Sequence, residues 1–213
     1  MDIEIADIHL TEELYKKFIS ADFPSNELRP LKMIKSLMKN GFYSVYAAYE
    51  NGEITGYACF LKGKTIKNTV LLDYFAVRKD LRGQGKGSLF LSQLVGHIRK
   101  TEPYVSFIAV ECENPEKTSV SEKAENRRRR IRFYTQNGAV ITDTGWYVFG
   151  VDYNLLVIKT SDKTVPDNFA ENLYRLYMEG LSLNPFFREI AKKRIKIYPL
   201  NQPSQLIHIN HKV

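Results

Sequence analysis

The sequence predicts an α/β fold in which a mixed central sheet is flanked by helices. Residues 71–98 have the pattern of a strand, a glycine-rich turn and a helix, and a further apolar strand follows at residues 104–111. A strand–helix–strand unit of this kind is normally parallel. Asn51-Gly52 lies between two apolar segments, residues 43–49 and 54–61, and is typical of an antiparallel hairpin. Parallel and antiparallel pairs in one chain indicate a mixed sheet.

The N-terminal segment is predicted to form one strand and two helices. Isoleucines at positions 3, 5 and 8 indicate the strand. Thr11 is the expected N-cap of the first helix, which should end before Phe23-Pro24. The second helix is expected over residues 30–39, and Asn40-Gly41 is a typical helix end.

The second half of the chain is predicted to add one more helix and two strands, followed by an extension. Ser119-x-x-Glu122 has the form of a capping box and predicts a helix that ends near Gln136. Strands are expected over residues 139–149 and 155–159. Beyond them, the pattern predicts helices over 167–181 and 184–193 and a short strand near 195–198. We therefore expect a core over residues 1–160 and a C-terminal extension, residues 161–213, packed on it.

Composition limits the class of protein and its location. A chain of 213 residues with 44% hydrophobic and 26% charged residues is ordinary for a globular protein with a sizeable core. The net charge of +7 suits an anionic ligand but does not choose between a small molecule, nucleic acid and an acidic protein. Cys59 and Cys112 form no disulfide pattern, no signal peptide is visible, and no apolar stretch could span a membrane. We expect a cytoplasmic protein.

The glycine-rich turn is the strongest indication of a ligand. Gly83, Gly85 and Gly87 lack Cβ atoms, so an anion can approach the backbone amides, and the start of a helix favours phosphate. Arg82 and Lys86 add positive charge. The expected ligand is a phosphorylated cofactor, with a pyrophosphate as the first candidate. The spacing fits neither the P-loop nor the dinucleotide fingerprint.

One family pattern does fit this turn. Arg82, Gly85 and Gly87 form Arg-x-x-Gly-x-Gly, five residues after Val77. This resembles the acyl-CoA-binding motif of the GNAT superfamily of N-acetyltransferases, and the predicted order of elements over roughly residues 1–160 is similar to that of the GNAT fold. The resemblance implies acetyl-CoA as co-substrate and direct transfer of its acetyl group to a primary amine, with no covalent acyl-enzyme.

The resemblance also implies which residues hold acetyl-CoA. In the family this strand splays away from the next one, and the pantetheine arm bonds into the gap like a missing strand. Phe75, Ala76 and Val77 would therefore contribute backbone groups, and one N–H would polarise the thioester carbonyl. The residues expected to bind the pyrophosphate are Arg82, Gly83, Gln84, Gly85, Lys86, Gly87 and Ser88.

A tyrosine near the end of the helix at 119–136 is the candidate general acid. Phe133-Tyr134 and Gly138 resemble the F-Y-x-x-x-G segment of the family, in which this tyrosine commonly protonates the departing CoA thiolate. The alternative is that Tyr134 only packs within the core. Family members often carry asparagine seven residues before this tyrosine. That position is Arg127 in this chain, and Asn126, one residue away, is the pantetheine contact that we assign.

Two carboxylates are candidates for the base that deprotonates the amine. Glu111 lies at the end of the strand after the glycine helix, and Asp73 lies in the strand before it. We rank Glu111 first because a strand end opens toward the cleft. Each could instead be satisfied by a nearby arginine, and many family members use only bound water.

The arginine run, which consists of Arg127 to Arg130 and Arg132, is open to several interpretations. Its members span more than one helical face, so some could meet CoA phosphates while others pair with Glu122 or Glu125. A solvated, salt-bridged face is the favoured interpretation. Nucleic-acid binding is not favoured, because no binding module accompanies the run.

Other reactive side chains do not form a recognisable site. Cys112 has no histidine near it in sequence and is not expected to be a nucleophile. His208 and His211 lack further ligands, so no metal site is predicted.

The sequence therefore predicts an acetyl-CoA-dependent N-acetyltransferase with an amine acceptor and no membrane segment. The alternative functions are a CoA-binding regulatory module without turnover and, less favoured, a basic nucleic-acid-binding protein. The acceptor has no readable signature; the resemblance implies that it is set by the loop at residues 23–31 and the last strand pair, and the C-terminal extension is a further candidate in this chain. The oligomeric state stays open, a homodimer included.

Overall fold

A computed structural model describes residues 1–25 and 27–200 of the chain. Its strands are β1 (Asp2–Ile5), β2 (Tyr43–Glu50), β3 (Glu53–Lys62), β4 (Thr69–Val77), β5 (Phe107–Glu113), β6 (Val140–Val148), β7 (Val151–Lys159) and β8 (Ile195–Pro199). They form one eight-stranded sheet in the order β1-β2-β3-β4-β5-β7-β6-β8. Only β4 and β5 pair in parallel. This mixed sheet confirms the predicted fold class.

Within the part of the chain that the structure describes, seven α-helices cover the two faces of the sheet. They are α1 (Ile8–Leu14), α2 (Ser20–Asp22), α3 (Leu31–Lys39), α4 (Lys86–Thr101), α5 (Ser121–Gln136), α6 (Phe169–Gly180) and α7 (Pro185–Arg194). A π-helical turn, Tyr15–Ile19, joins α1 to α2. Short 3-10 turns occupy Lys79–Leu81, Pro115–Lys117 and Leu181–Leu183.

The hydrophobic core consists of two clusters, one on each face. The first lies under α1, α3, α6 and α7 and includes Leu14, Ile34 and Leu173, which are fully buried. The second lies under α4 and α5, with Phe90 and Leu94 at its centre. Each fully buried side chain of this size stabilises the fold by about 1.5–3 kcal/mol, so both faces are required for stability.

Two turns in left-handed backbone conformation close the hairpins. Asn51 and Gly52 have φ values of 54° and 79°, which match a type I′ turn between β2 and β3. Phe149 and Gly150, with φ values of 48° and 103°, form the equivalent turn between β6 and β7. The first turn is the hairpin predicted from Asn51-Gly52.

The opening between β4 and β5 positions the functional site. The two strands pair only from Thr69 opposite Phe107 to Leu72 opposite Val110. Beyond that point, the rest of β4 is paired with β3 alone and the rest of β5 with β7 alone. The sheet therefore has a V-shaped gap at the carboxyl ends of its two parallel strands.

A β-bulge in β4 begins this gap. Cys59 of β3 is opposite Tyr74, whereas the next residue, Phe60, is opposite Leu72, so Asp73 is an extra residue without a partner. A bulge bends its strand and changes the direction of the following side chains. Asp73 consequently contacts Tyr43 on the face of the first cluster.

The C-terminal segment joins the same sheet. The extension predicted from residue 161 supplies α6, α7 and β8, and β8 pairs antiparallel with β6. Asn184 caps α7 by accepting a hydrogen bond from the Phe187 amide, with Pro185 in the first turn, as the sequence indicates. The division of the chain at residue 160 stays a prediction.

Five local predictions were wrong. Asp7, not Thr11, is the N-cap of α1, and Thr11 is buried inside the helix. Ile8 begins this helix instead of ending the first strand. Helix α5 begins at Ser121 with Val120 at its N-cap and no side-chain cap, so Ser119-x-x-Glu122 forms no capping box. Strand β5 begins at Phe107 and β7 at Val151, because pairing with neighbouring strands sets their ends.

The helices of the described ranges are all too short or too polar to cross a membrane.

Candidate active site

The gap between β4 and β5 presents unpaired backbone groups. The Arg78 amide donates to the Thr55 carbonyl at 2.8 Å, which sets the alternation of hydrogen bonds along β4. Every second amide before Arg78 therefore faces β3, and the amides of Phe75 and Val77 face the gap. An extended ligand could bond to these two amides as an added strand would.

The glycine-rich turn lies at the end of this gap. Gly83 and Gly85 have φ values of 77° and 75°, a conformation that favours glycine, and Gly85 is the N-cap of α4. Among the described residues, none accepts a hydrogen bond from the six consecutive amides of residues 83–88. Unpaired amides at the start of a 16-residue helix form an anion-binding site. The turn therefore fits a phosphate group.

The side chains predicted at this turn are mostly engaged within the protein. Arg82 donates from Nε to the Val77 carbonyl at 3.1 Å and pairs through Nη2 with Asp22 at 2.7 Å. The Lys86 ammonium is 2.6 Å from Glu50. Because both cations have carboxylate partners, the backbone amides rather than free side-chain charges define the anion site.

The other predicted residues of the turn complete its surface. Gln84 donates to the Asp80 carbonyl at 2.8 Å. Ser88 accepts a hydrogen bond from the Asn137 amide at 3.1 Å. At Gly87 an added Cβ would lie 3.4 Å from the ring of Phe133. These contacts join the turn to α5.

Aromatic rings line the second-cluster side of the gap. Phe75 stacks on Phe90 with ring centroids 5.1 Å apart, and the rings of Phe133 and Tyr134 lie 6.0 and 6.4 Å from Phe75. Ala76 and Phe75 are partly exposed, whereas Val77 is buried. The gap thus combines an apolar wall with unpaired backbone amides, as an acyl group on an extended arm requires.

Tyr134 lies within this aromatic group, next to the gap. It is buried, and burial raises the pKa of its phenol above the ordinary value. Its hydroxyl makes no hydrogen bond within residues 1–25 and 27–200. A neutral phenol in an apolar wall is a proton donor without a competing partner.

Asp73 lies on the other face of the gap in a buried ion pair. Arg29 donates to it from Nε at 2.7 Å and from Nη2 at 3.2 Å, and the Tyr43 hydroxyl donates at 2.5 Å. The side chains of Arg29 and Asp73 are only 17% and 11% exposed. Asp73 is therefore satisfied by an arginine, the alternative that the sequence left open.

Glu111 lies nearby in a different environment; it is within β5 and not at its predicted end, because the strand continues to Glu113. Its carboxylate accepts from the Tyr177 hydroxyl at 3.0 Å and from the Trp146 indole N–H. Burial raises the pKa of Glu111 to about 7, and these two hydrogen bonds oppose that shift. A carboxyl group with this pKa can exchange a proton near neutral pH.

The loop between α2 and α3 lies against the same region. The hydroxyl of Tyr74 donates to the Glu27 carbonyl at 2.9 Å and accepts from the Arg29 amide at 2.7 Å. Phe23 packs on the ring of Tyr74, with centroids 4.8 Å apart. The loop is held at the bulge and forms a wall on the side of Asp73 and Glu111.

The arginine run is largely ion-paired. Arg127 pairs with Glu113 at 2.7 Å and also donates to the Asn114 carbonyl. Arg128, Arg130 and Arg132 have carboxylate partners at 2.9, 3.8 and 2.5 Å, and Arg129 has none among the residues described. The partner of Arg132 is Glu125, one of the two predicted. This favours a salt-bridged surface; Asn126 is exposed on the same helix.

The remaining reactive groups do not add a second site. Cys112 and Cys59 are free thiols buried in the core, and burial raises both of their pKa values. The described ranges contain no group of three His, Cys, Asp or Glu side chains placed to hold a metal ion. His208 and His211 lie outside the described residues.

Sequence reasoning missed four residues that surround the two carboxylates. They are Arg29, Tyr43, Trp146 and Tyr177, which come from four separate elements. Tyr177 could be identified only as a packing residue of α6, and Trp146 was notable only as the sole tryptophan. The position of Arg29, in the loop expected to shape the acceptor site, was the one available signal.

The family model "Acetyltransferase (GNAT) family" matches residues 8–138, which is more than half of the chain. The protein therefore belongs to the GNAT family and is an acyltransferase; acetyl-CoA is the co-substrate of this family. This confirms the resemblance inferred from the glycine-rich motif. No curated protein sequence matches the chain.

Solved structures of the family share the fold. A GNAT-family protein from Bacteroides thetaiotaomicron has a TM-score of 0.65 at 18% identity, covering 84% of this chain and 99% of its own. The protein yncA from Salmonella typhimurium, solved with its cofactor acetyl-CoA, has a TM-score of 0.53 at 21% identity, covering 78% and 98%. The aminoglycoside 6'-N-acetyltransferase from Enterococcus faecium has a TM-score of 0.57 at 14% identity, covering 77% and 99%. At these identities the likeness concerns the fold alone.

Proposed function

We propose that the protein transfers the acetyl group of acetyl-CoA directly to the primary amine of an acceptor. The observation that carries this proposal is the gap between β4 and β5, which leaves the amides of Phe75 and Val77 unpaired and ends at six further unpaired amides. One molecule with an extended arm that leads to a pyrophosphate would satisfy both sets. Acetyl-CoA has this form.

The residues of the glycine-rich turn would hold the pyrophosphate through their amides. The turn offers consecutive N–H groups and the positive end of the α4 dipole, which together bind phosphate oxygens. The pantetheine arm would then lie along β4, beside Phe75 and Ala76. An N–H of Phe75 or Val77 would donate to the thioester carbonyl and stabilise its developing negative charge. Asn126 is proposed as a further pantetheine contact from α5.

Glu111 is the proposed base. Asp73 is ion-paired with Arg29, whereas the donors to Glu111 are the neutral groups of Trp146 and Tyr177, which favours Glu111 as the base. The Glu111 carboxylate, whose pKa is raised to about 7, would accept a proton from the acceptor's ammonium group, directly or through water. The free amine then attacks the thioester carbon, and a C–N bond replaces the C–S bond.

Tyr134 is the proposed acid. The reaction releases CoA as a thiolate, which is poorly stabilised beside the apolar rings of Phe75 and Phe133. The phenol of Tyr134 is neutral at physiological pH, as a tyrosine is at its ordinary pKa of 10.0, and burial raises that pKa further. It would donate its proton to the sulfur as the C–S bond breaks. The attacking nitrogen loses its second proton to solvent as the amide forms, and solvent returns one proton to Tyr134.

Titration calorimetry with acetyl-CoA tests the co-substrate site. Gly85→Glu puts a carboxylate at the proposed pyrophosphate position, and we expect it to abolish the micromolar binding of the wild type. The matched control is Gly41→Glu. Gly41 also has a φ of 75° and open space around its Cβ position, so this variant has the same backbone strain away from the turn. A folded wild type that binds no acetyl-CoA would refute the proposal.

An amine panel tests turnover. Acetyl-CoA is incubated with polyamines, aminoglycosides, aralkylamines, free amino acids and peptides with free N-termini, and products are detected by mass spectrometry. For the acceptor found, Tyr134→Phe should lower kcat about 100-fold with little change in acetyl-CoA affinity. Acetyl-CoA binding without any acetylated product would instead support a regulatory CoA-binding module.

A further inference from the structure

Tyr177 joins the C-terminal segment to the candidate base. This residue lies on α6, 66 positions after Glu111 and outside the stretch that the family model matches. Its hydroxyl is 3.0 Å from each oxygen of the Glu111 carboxylate, and only 5% of its surface is exposed. A single buried donor thus contacts both oxygens of the carboxylate.

The contacts on the ring of Tyr177 hold it in place. Trp146, which also donates to Glu111, has its ring centroid 5.8 Å from that of Tyr177. On the other side, the guanidinium carbon of Arg29 is 5.9 Å from the centroid, within reach of a cation–π contact. Tyr177 therefore connects the two carboxylate environments, that of Glu111 and that of the Arg29–Asp73 pair.

The end of α6 is fixed just beyond Tyr177. Glu179 accepts hydrogen bonds from the amides of Lys64 and Thr65 in the loop between β3 and β4, at 2.5 and 3.0 Å. At Gly180 the helix lies so close to β3 that an added Cβ would be 3.0 Å from a methyl group of Leu61. These contacts restrict rotation of α6, so the direction of Tyr177 is set by the fold.

We propose that Tyr177 is a positioning residue for Glu111, and that α6 is consequently part of the active site. This inference rests on the proposed function, in which Glu111 is the base. The hydroxyl holds the Glu111 carboxylate of β5 in one orientation. As a donor it also favours the ionised form that accepts the proton of the amine.

The charged and titratable groups around Glu111 come from every element packed against it. They are Tyr177 of α6, Asp73 of β4, Tyr153 of β7, Cys112 on its own strand, and Arg29 of the loop before α3. Asp73 raises the pKa of Glu111 and Arg29 lowers it. Loss of the Tyr177 hydroxyl alone should leave these opposing charges in place, so its effect can be measured separately.

The test is a direct titration of Glu111 in the whole protein. Glutamate side chains are labelled with 13C at the carboxyl carbon, and the Glu111 resonance is assigned by its absence in Glu111→Gln. In Tyr177→Phe, we expect the pKa of Glu111 to rise by about one unit because one hydrogen bond to the charged form is lost. Tyr177→Met, which removes the same donor with a different side chain, should give the same direction.

The matched control is Tyr198→Phe. It removes a hydroxyl of the same C-terminal segment that donates to Asp152 at 2.7 Å instead of to Glu111. In Tyr198→Phe, the pKa of Glu111 should be the same as in the wild type. If the pKa of Glu111 were the same in the wild type, Tyr177→Phe and Tyr177→Met, the inference would be overturned.

The kinetic readout separates this inference from the proposed function. With an acceptor from the amine panel, kcat/KM of Tyr177→Phe at pH 7 should fall about tenfold. The pH at which kcat/KM rises should increase by the same amount as the pKa of Glu111 does in the titration. An unchanged pH profile would overturn a role in catalysis. The titration itself uses no acetyl-CoA, so a wild type that fails to bind acetyl-CoA refutes the proposed function without altering the titration result.

Discussion

The ion pair between Arg29 and Asp73 should be the strongest electrostatic contact between β4 and the loop that joins α2 to α3. The two side chains share hydrogen bonds of 2.7 and 3.2 Å, and both are less than one fifth exposed. Asp73→Asn leaves the guanidinium of Arg29 without its counter-charge, and breaking a buried pair in this way costs about 3 kcal/mol of unfolding free energy. Arg29→Met leaves the Asp73 carboxylate with Tyr43 as its remaining donor, and we expect a loss of about 2 kcal/mol.

Urea unfolding of the two single variants and the double variant measures the coupling. Because the partners are buried and share hydrogen bonds, the coupling free energy should be about 2 kcal/mol. The control cycle uses the exposed pair of Lys17 and Glu13, whose side chains are 62% and 46% exposed, and its coupling should not exceed about 0.5 kcal/mol. If the Arg29 and Asp73 substitutions were additive, the loop would not be held by this pair and the argument for a fixed acceptor-side wall would fail.

Three further predictions follow from single positions. The pKa of Glu111 in the folded state, about 7, exceeds its ordinary value of 4.5, so this carboxyl stabilises the fold fully below pH 4.5 and its contribution is lost as pH rises through 7. In thermal melts, the melting temperature of the wild type should fall relative to that of Glu111→Gln between these two pH values. A difference in melting temperature that stays constant with pH would contradict this. Gly85→Ala should destabilise the protein by about 1–2 kcal/mol because φ is positive there, whereas Gly87→Ala, inside α4, should be neutral or stabilising by about 0.5 kcal/mol. Urea unfolding measures both free-energy changes, and equal changes in the two variants would contradict this prediction. Cys59 and Cys112, buried with raised pKa values, should not react with a thiol reagent until the protein is unfolded; fast reaction of either in the native protein would disprove the described packing.

Local patterns in the sequence were sufficient for the parts of the fold that depend on a few neighbouring residues. The turn at Asn51-Gly52 and the glycine-rich turn were predictable because left-handed backbone restricts the choice of residue within a tight turn. The alternation of strands and helices, together with the Arg82-x-x-Gly-x-Gly motif, was enough to identify the GNAT family. Helix starts were less predictable: Thr11 and Ser119 have capping residue types, but the tertiary structure begins each helix elsewhere.

The gap that carries the proposed chemistry depends on contacts between distant strands. The bulge at Asp73 has no signal in β4 itself, because it is defined by the register of β3 opposite it. The same holds for the choice between the two carboxylates. Asp73 and Glu111 were both candidates for the base, and the sequence ranked Glu111 first only by its predicted position in the strand.

Only the packed structure distinguishes these carboxylates. Asp73 is paired with an arginine 44 residues away, whereas Glu111 is buried against a tryptophan 35 residues away and a tyrosine 66 residues away. A proton's affinity for a carboxyl group depends on burial and on the charges and donors within a few ångströms. Those neighbours are brought together by the sheet and α6, so a local sequence pattern could place Glu111 in a strand but could not specify its proton chemistry.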